Sequence, residues 1–162
     1  MIFPEVKIFD HDVYYDHRGE IWTLWKKDEY PDIDLIFNHD KISTSRKNVL
    51  RGLHGDTKSW KLMECIHGDI YFVVVDNRPN SPNYLKWDWM MLTDKKRQAI
   101  LLPPNFANGI LVMSDLGILH YKWSYVGEYP DVNEQFTIKW DNPSINIFWG
   151  HKNNFIIQKR DF

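Results

Sequence analysis

The feature that most constrains this chain is a succession of short, β-rich runs, each closed by a turn signal. "EIWTLW", "DLIFN", "NVLRGLH", "WKLMECI", "DIYFVVVD", "LKWDWMML", "QAILLP", "GILVMS", "GILHYKWSY", "QFTIKW" and "INIFWG" all have the length and residue types of strands. Between them lie "HGD", "DNRPNSPN", "LPPNFANG", "SDLG" and "WDNPS", rich in the Gly, Pro, Asn and Asp that turns favour. Many short strands at close spacing predict an all-β sandwich or barrel, with a jelly roll foremost. Helical periodicity is weak and confined to "KKDEYPD", so only a few short helical turns are expected. No linker, repeat or low-complexity tract interrupts the pattern, and 162 residues suit a single domain over 1–162.

Strand alternation assigns faces. In "GILHYKWSY", Leu119, Tyr121, Trp123 and Tyr125 share one face and His120, Lys122 and Ser124 the other. The aromatic face is expected to point into the barrel, carrying Tyr121 inside and His120 outside. "DIYFVVVD" is apolar on both faces, as in a strand covered on both sides. "WKLMECI" is ambiguous, because Lys61 alternates with Met63 and Cys65 while Trp60, Leu62 and Ile66 lie opposite.

Composition excludes several classes. A net charge of −2 argues against a nucleic-acid or general polyanion binder, although single basic residues can still grip one phosphate. The lone Cys65 forbids an internal disulfide and suits a reducing cytoplasm. The start, "MIFPEVKIFDHD", lacks the order of a signal peptide, and no apolar run has the length of a membrane span. A soluble cytoplasmic protein without membrane contact is expected. Aromatic residues reach 15%, a fraction that fits both a β-core and stacking on sugars or bases.

The residue types narrow the chemistry. A zinc or iron site needs two or three convergent His or carboxylate ligands. His54 and Asp56 stand together in "HGD", but there is no His-x-His pair and "PPNFANGI" contains no His, so no metal is expected. No Gly-x-Ser-x-Gly elbow or phosphate-cradling glycine loop is present, and Cys65 sits within a strand run. Proton transfer needs fewer parts: a base, an acid across the substrate and a cation near a developing oxyanion. His54, Tyr121 and Lys61 supply those three types, and from residue types alone they could equally be unrelated polar groups at strand ends.

The segments "DHRGEIW", "KISTSRKNVLRGLHGD", "KLMECIHGDIYFVVVDNRPNSPNYLKW", "QAILLPPNFANGILVMSD", "HYKWSYVGEY", "IKWDNPSINIFW" and "QKRD" span nearly the whole chain. In their order and spacing they resemble the dTDP-4-dehydrorhamnose 3,5-epimerase family of cupin-like jelly-roll enzymes. "RGEIWT", "RGLHGD", "KSWKL" and "VGEY" are most similar to the branch acting on GDP-4-keto-6-deoxy-heptoses in capsule biosynthesis. The resemblance implies an epimerase that inverts C3, C5 or both of a 4-keto-6-deoxy nucleotide sugar through an enolate, with no cofactor. It implies His54 as general base, Asp161 as its carboxylate partner, Tyr121 as the acid on the opposite face and Lys61 as the enolate's partner. Arg18 and Arg51 are implied to hold the diphosphate, and Tyr129 to line the nucleotide-sugar site. Three departures bear on substrate: Asn108 stands where many members carry His, and His39 and Lys41 where many thymidine-nucleotide enzymes carry Gln and Asn. These three are counted with the substrate-binding residues. Members commonly form homodimers with an edge contributed across the interface, and a homodimer is expected here. The rival readings are a cupin 3,4-ketoisomerase on a similar substrate and a nucleotide-sugar-binding jelly roll whose activity has decayed.

Overall fold

The computed structural model describes residues 1–30, 33–150 and 154–161. Twelve strands run through them: β1 (Lys7–Asp10), β2 (Val13–Asp16), β3 (Gly19–Trp22), β4 (His39–Arg46), β5 (Leu50–Gly55), β6 (Trp60–His67), β7 (Asp69–Asp76), β8 (Trp87–Thr93), β9 (Gln98–Leu102), β10 (Phe106–Val112), β11 (Leu116–Ser124) and β12 (Phe136–Thr137). They form two five-stranded sheets, ordered β1-β9-β6-β11-β4 and β12-β5-β10-β7-β8, and a separate hairpin β2-β3. All the strand pairings are antiparallel. The architecture is the expected jelly roll, with short 3₁₀ turns at Lys27–Glu29 and Lys159–Asp161.

Three apolar clusters explain why so many strands are apolar on both faces. Met63, Cys65, Phe72, Val74, Ile110 and Leu119 fill the space between the sheets. Leu50, Leu53, Val73, Val75 and Leu111 point outward from the second sheet and are covered by Ile138, Trp140, Ile145, Trp149 and Phe155 of the C-terminal segment. Leu62, Ala99 and Leu101 point outward from the first sheet beneath Trp25, Tyr30, Ile33 and Phe37. "DIYFVVVD" thus divides its side chains between two cores, as its two-faced pattern requires. At fully buried positions such as Phe72 and Leu119, burial is worth about 1.5–3 kcal/mol per side chain.

Several expected strands end early or are absent. "DLIFN" and "INIFWG" are extended segments without a ladder, and "QFTIKW" keeps only β12. Their apolar residues lie over the outer sheet faces instead, so hydrophobicity there records packing and not pairing. Conversely β4, "HDKISTSR", is a full strand whose polar, exposed residues gave no strong signal; it lies at a sheet edge, where such residues are tolerated. The weakly helical "KKDEYPD" supplies the Lys27–Glu29 turn and then runs into Pro31 and Asp32, which lie outside the described residues.

Candidate active site

The functional constellation is built on an irregularity in β5. In its pairing with β10, Asn108 opposes His54 and Ile110 opposes Arg51, so three steps along β5 match two along β10. The extra residue is a β-bulge. Arg51 and His54, which simple alternation would send to opposite faces, both line the cavity between the sheets, while Leu50 and Leu53 turn outward. Gly52 makes this possible: its φ is +118°, and a Cβ there would lie 2.6 Å from Gly109 Cα and 2.7 Å from the Asn108 carbonyl oxygen. The glycine of "RGLH" is therefore set by close backbone approach.

The cavity, about 190 Å³, is walled by both sheets and closed by the C-terminal turn. Arg51, His54 and Asn108 come from the second sheet; Lys61, Tyr121 and Trp123 come from the first. Asp161 arrives from the far end of the sequence. The C-terminal segment crosses the outer face of the second sheet, pairing Ile138 with Leu53 and Ile156 with Asn48 and Leu50 through backbone hydrogen bonds. Its last turn then buries Asp161, with Oδ1 2.7 Å from His54 Nε2, an ion-pair approach and not a well-directed hydrogen bond. Despite its place near the end of the chain, Asp161 is only 2% exposed.

Lys61 is the buried cation of the facing wall. Its Nζ lies 3.6 Å from Asp56 Oδ2 and 4.6 Å from the centre of the Trp123 ring. Burial pushes its ammonium toward the neutral form, and the charge of Asp56 opposes that shift. Tyr121 points inward against the central core, and His120 faces outward to Asp40, as alternation predicts. Burial raises the Tyr121 phenol above its ordinary value, with Ser43 and Arg51 acting in the opposite sense. The phenol accordingly stays protonated at neutral pH.

At the rim, Lys41 Nζ donates to the Tyr129 hydroxyl at 2.6 Å, and His39 packs edge-on against the Tyr129 ring at 4.6 Å. Tyr129 itself lines the cavity and contacts Trp123. Arg51 Nε donates to Ser45 Oγ at 3.0 Å. Arg18 stands apart from this assembly within one subunit. It sits at the tip of hairpin β2-β3, paired with Asp16, its side chain 79% exposed. Trp123, Ile110, Gln135, Gln158 and Arg160 also line the cavity and were not among the expected site residues. The inward face of "GILHYKWSY" already carried the signal for Trp123. Gln135, Gln158 and Arg160 lie in irregular segments with no periodicity to read. Among the described residues, no group of three or more His, Cys, Asp or Glu could hold a metal ion.

A family model described as dTDP-4-dehydrorhamnose 3,5-epimerase matches residues 1–162. The chain belongs to this family. The dTDP-4-dehydrorhamnose 3,5-epimerase of Escherichia coli K12 is 33% identical over 163 residues, covering 97% of this chain and 86% of that protein. That of Methanothermobacter thermautotrophicus is 34% identical over 162 residues, covering 95% and 85%. Among solved structures, the epimerase of Legionella pneumophila in complex with dTDP-4-keto-L-rhamnose superposes with a TM-score of 0.90 at 28% identity, covering 99% of this chain and 87% of that one. The Bacillus anthracis dTDP-4-dehydrorhamnose 3,5-epimerase, with TDP and PPi bound, gives 0.90 at 25% identity over 99% and 93%. Family membership makes the chain a nucleotide-sugar epimerase, and the cavity is the concave, convergent site such an enzyme needs.

Proposed function

We propose that this epimerase inverts C3, C5 or both of a 4-keto-6-deoxy nucleotide sugar by removing a proton from one face and returning one to the other. The observation that carries the reading is the distribution of groups between the two walls. His54, with Asp161 2.7 Å from its ring, belongs to one sheet, and Tyr121 to the facing sheet. A sugar lying between them has a base on one side and an acid on the other. The 4-ketone acidifies the hydrogens at C3 and C5. His54 takes one of them, and Asp161 balances the imidazolium so formed. The electrons move onto the ketone oxygen, where the Lys61 ammonium meets the developing negative charge. Tyr121 then delivers a proton to the opposite face. A positioned acid or base is worth about 10²–10⁴-fold in rate. An oxyanion donor adds about 10²–10³-fold.

Arg51 suits the diphosphate, because a guanidinium can fork onto two phosphate oxygens. Asn108, opposite His54, offers hydrogen bonds to sugar hydroxyls but no proton at neutral pH. Arg18 fits the same diphosphate role if its hairpin reaches the cavity of a second subunit in a homodimer. Tyr14, Tyr15 and Ile21 of that hairpin are each at least 70% exposed, which supports such an arm. The nucleotide is proposed to be dTDP, because the relatives above are dTDP-sugar enzymes. A GDP-linked heptose is the second reading, favoured by His39 and Lys41 at the rim against Tyr129.

The test is incubation with dTDP- and GDP-linked 4-keto-6-deoxy sugars in deuterated water, with C3 and C5 followed by NMR. Deuterium entering at one or both positions, with inversion, is expected. Exchange at neither carbon with either nucleotide would instead support a binding module.

A further inference from the structure

The cavity is served by two buried carboxylates, and the proposed chemistry uses only Asp161. The other is Asp56, in the turn between β5 and β6, 2% exposed. Its Oδ1 accepts the backbone N–H groups of Lys58 at 3.0 Å and Ser59 at 2.6 Å and so closes the turn. Its Oδ2 is fully buried and accepts no hydrogen bond. The group facing it is the Lys61 ammonium, 3.6 Å away. A turn needs only the first oxygen, and a neutral Asn would supply that. The second oxygen and its charge need another explanation, because a buried, unsatisfied carboxylate oxygen is costly.

We infer that Asp56 is a positioning residue that keeps Lys61 protonated and aimed into the cavity during turnover, an inference that rests on the reading of Lys61 as the enolate's partner. The remaining groups around the cavity do not supply that charge. Arg51 from β5 and Arg160 from the C-terminal turn are cations and oppose a further one. Asp161 is engaged with His54, and Tyr121 and Tyr129 are phenols. The Trp123 ring covers Lys61 from β11. Asp56 is thus the anion dedicated to Lys61. A separation of 3.6 Å holds the ammonium loosely, so its protons stay available to an enolate oxygen that forms only during reaction. A neutral amine at that place could not balance the enolate.

Asp56→Asn keeps the turn's acceptor and volume and removes only the charge. The experiment compares wild type, Asp56→Asn and Lys61→Met, following kcat and KM for exchange on dTDP-4-keto-6-deoxyglucose across neutral to alkaline pH. The Lys61 ammonium is observed in parallel by ¹H–¹⁵N NMR and identified by its loss in Lys61→Met. Asp56→Asn is expected to lose rate on the alkaline side at least about one pH unit earlier than wild type, roughly a tenfold deficit there, with KM little changed. The Lys61 signal is expected to lose its proton earlier by the same margin. A folded Asp56→Asn with the wild-type pH profile and wild-type Lys61 titration overturns the inference alone. So does a uniform loss at every pH with an unshifted Lys61 signal, which marks a merely structural turn. Full activity in Lys61→Met overturns the role of Lys61 itself. If Asp56→Asn fails to fold, Asp56→Ser, which retains a turn-closing hydroxyl, is expected to show the same displacement.

Discussion

Gly52→Ala tests the claim that a bulge in β5 assembles the site. The new methyl group would meet Gly109 Cα at 2.6 Å and the Asn108 carbonyl oxygen at 2.7 Å, both backbone atoms of the neighbouring strand. Neither can step aside as a flexible side chain could. The φ of +118° adds strain for any residue with a Cβ, about 1–3 kcal/mol. Overpacking in a closed region costs about 1–3 kcal/mol more. The combined loss is roughly 2–6 kcal/mol. At about 2–4 °C per kcal/mol for a domain of this size, Tm falls by roughly 4–24 °C. Relief requires β5 and β10 to separate, which moves His54 away from Asn108 and disturbs the shared face of Arg51 and His54. Exchange activity should therefore drop by more than the unfolded fraction explains. Thermal melts by circular dichroism, paired with exchange rates well below Tm, measure both effects. A variant with wild-type Tm and wild-type rate refutes the argument from close approach.

Tyr121→Phe removes the acid and leaves the base, so deuterium is expected to enter from the His54 face without inversion, while epimerisation falls about 10²–10⁴-fold; inversion at the wild-type rate would contradict the assignment. Arg51→Met should raise KM for the nucleotide sugar about 10–100-fold, the worth of a charge-assisted contact, with a smaller effect on kcat. Stability should fall as pH rises above about 9, because burial raises the Cys65 thiol and the Tyr30 phenol each to about 12. The sign follows from linkage: the unfolded chain releases these protons first, so the native state loses up to about 1.4 kcal/mol per pH unit for each group in that window. Urea unfolding from neutral to alkaline pH measures this loss, and Cys65→Ala should delay its onset.

Much of the fold was legible in the sequence because period-two alternation and turn residues are local signals. The inward set of Leu119, Tyr121 and Trp123 and the two-faced "DIYFVVVD" lie where alternation puts them. What alternation cannot see is a bulge: nothing local in "LRGLHG" says that Arg51 and His54 share a face. The apolar covers over the outer sheet faces, such as "INIFWG", read as strands because packing and pairing call for the same residues. For the site, the resemblance marked His54, Lys61, Tyr121 and Asp161, and one cavity gathers all four. It also marked Arg18, which lies outside that cavity within one subunit. Asp56 offered no periodic signal, because its significance rests on one buried oxygen facing Lys61 across a turn.

The central claim is that His54 removes the sugar proton. His54→Asn keeps the side chain's approximate size and polarity and removes its capacity to accept a proton at neutral pH. Single-variant exchange of C3 and C5 hydrogens in deuterated water, read by NMR on folded protein, tests the claim most directly. The account predicts loss of exchange at both carbons by at least about 10²-fold, with nucleotide-sugar binding retained. Exchange at the wild-type rate at either carbon would contradict it.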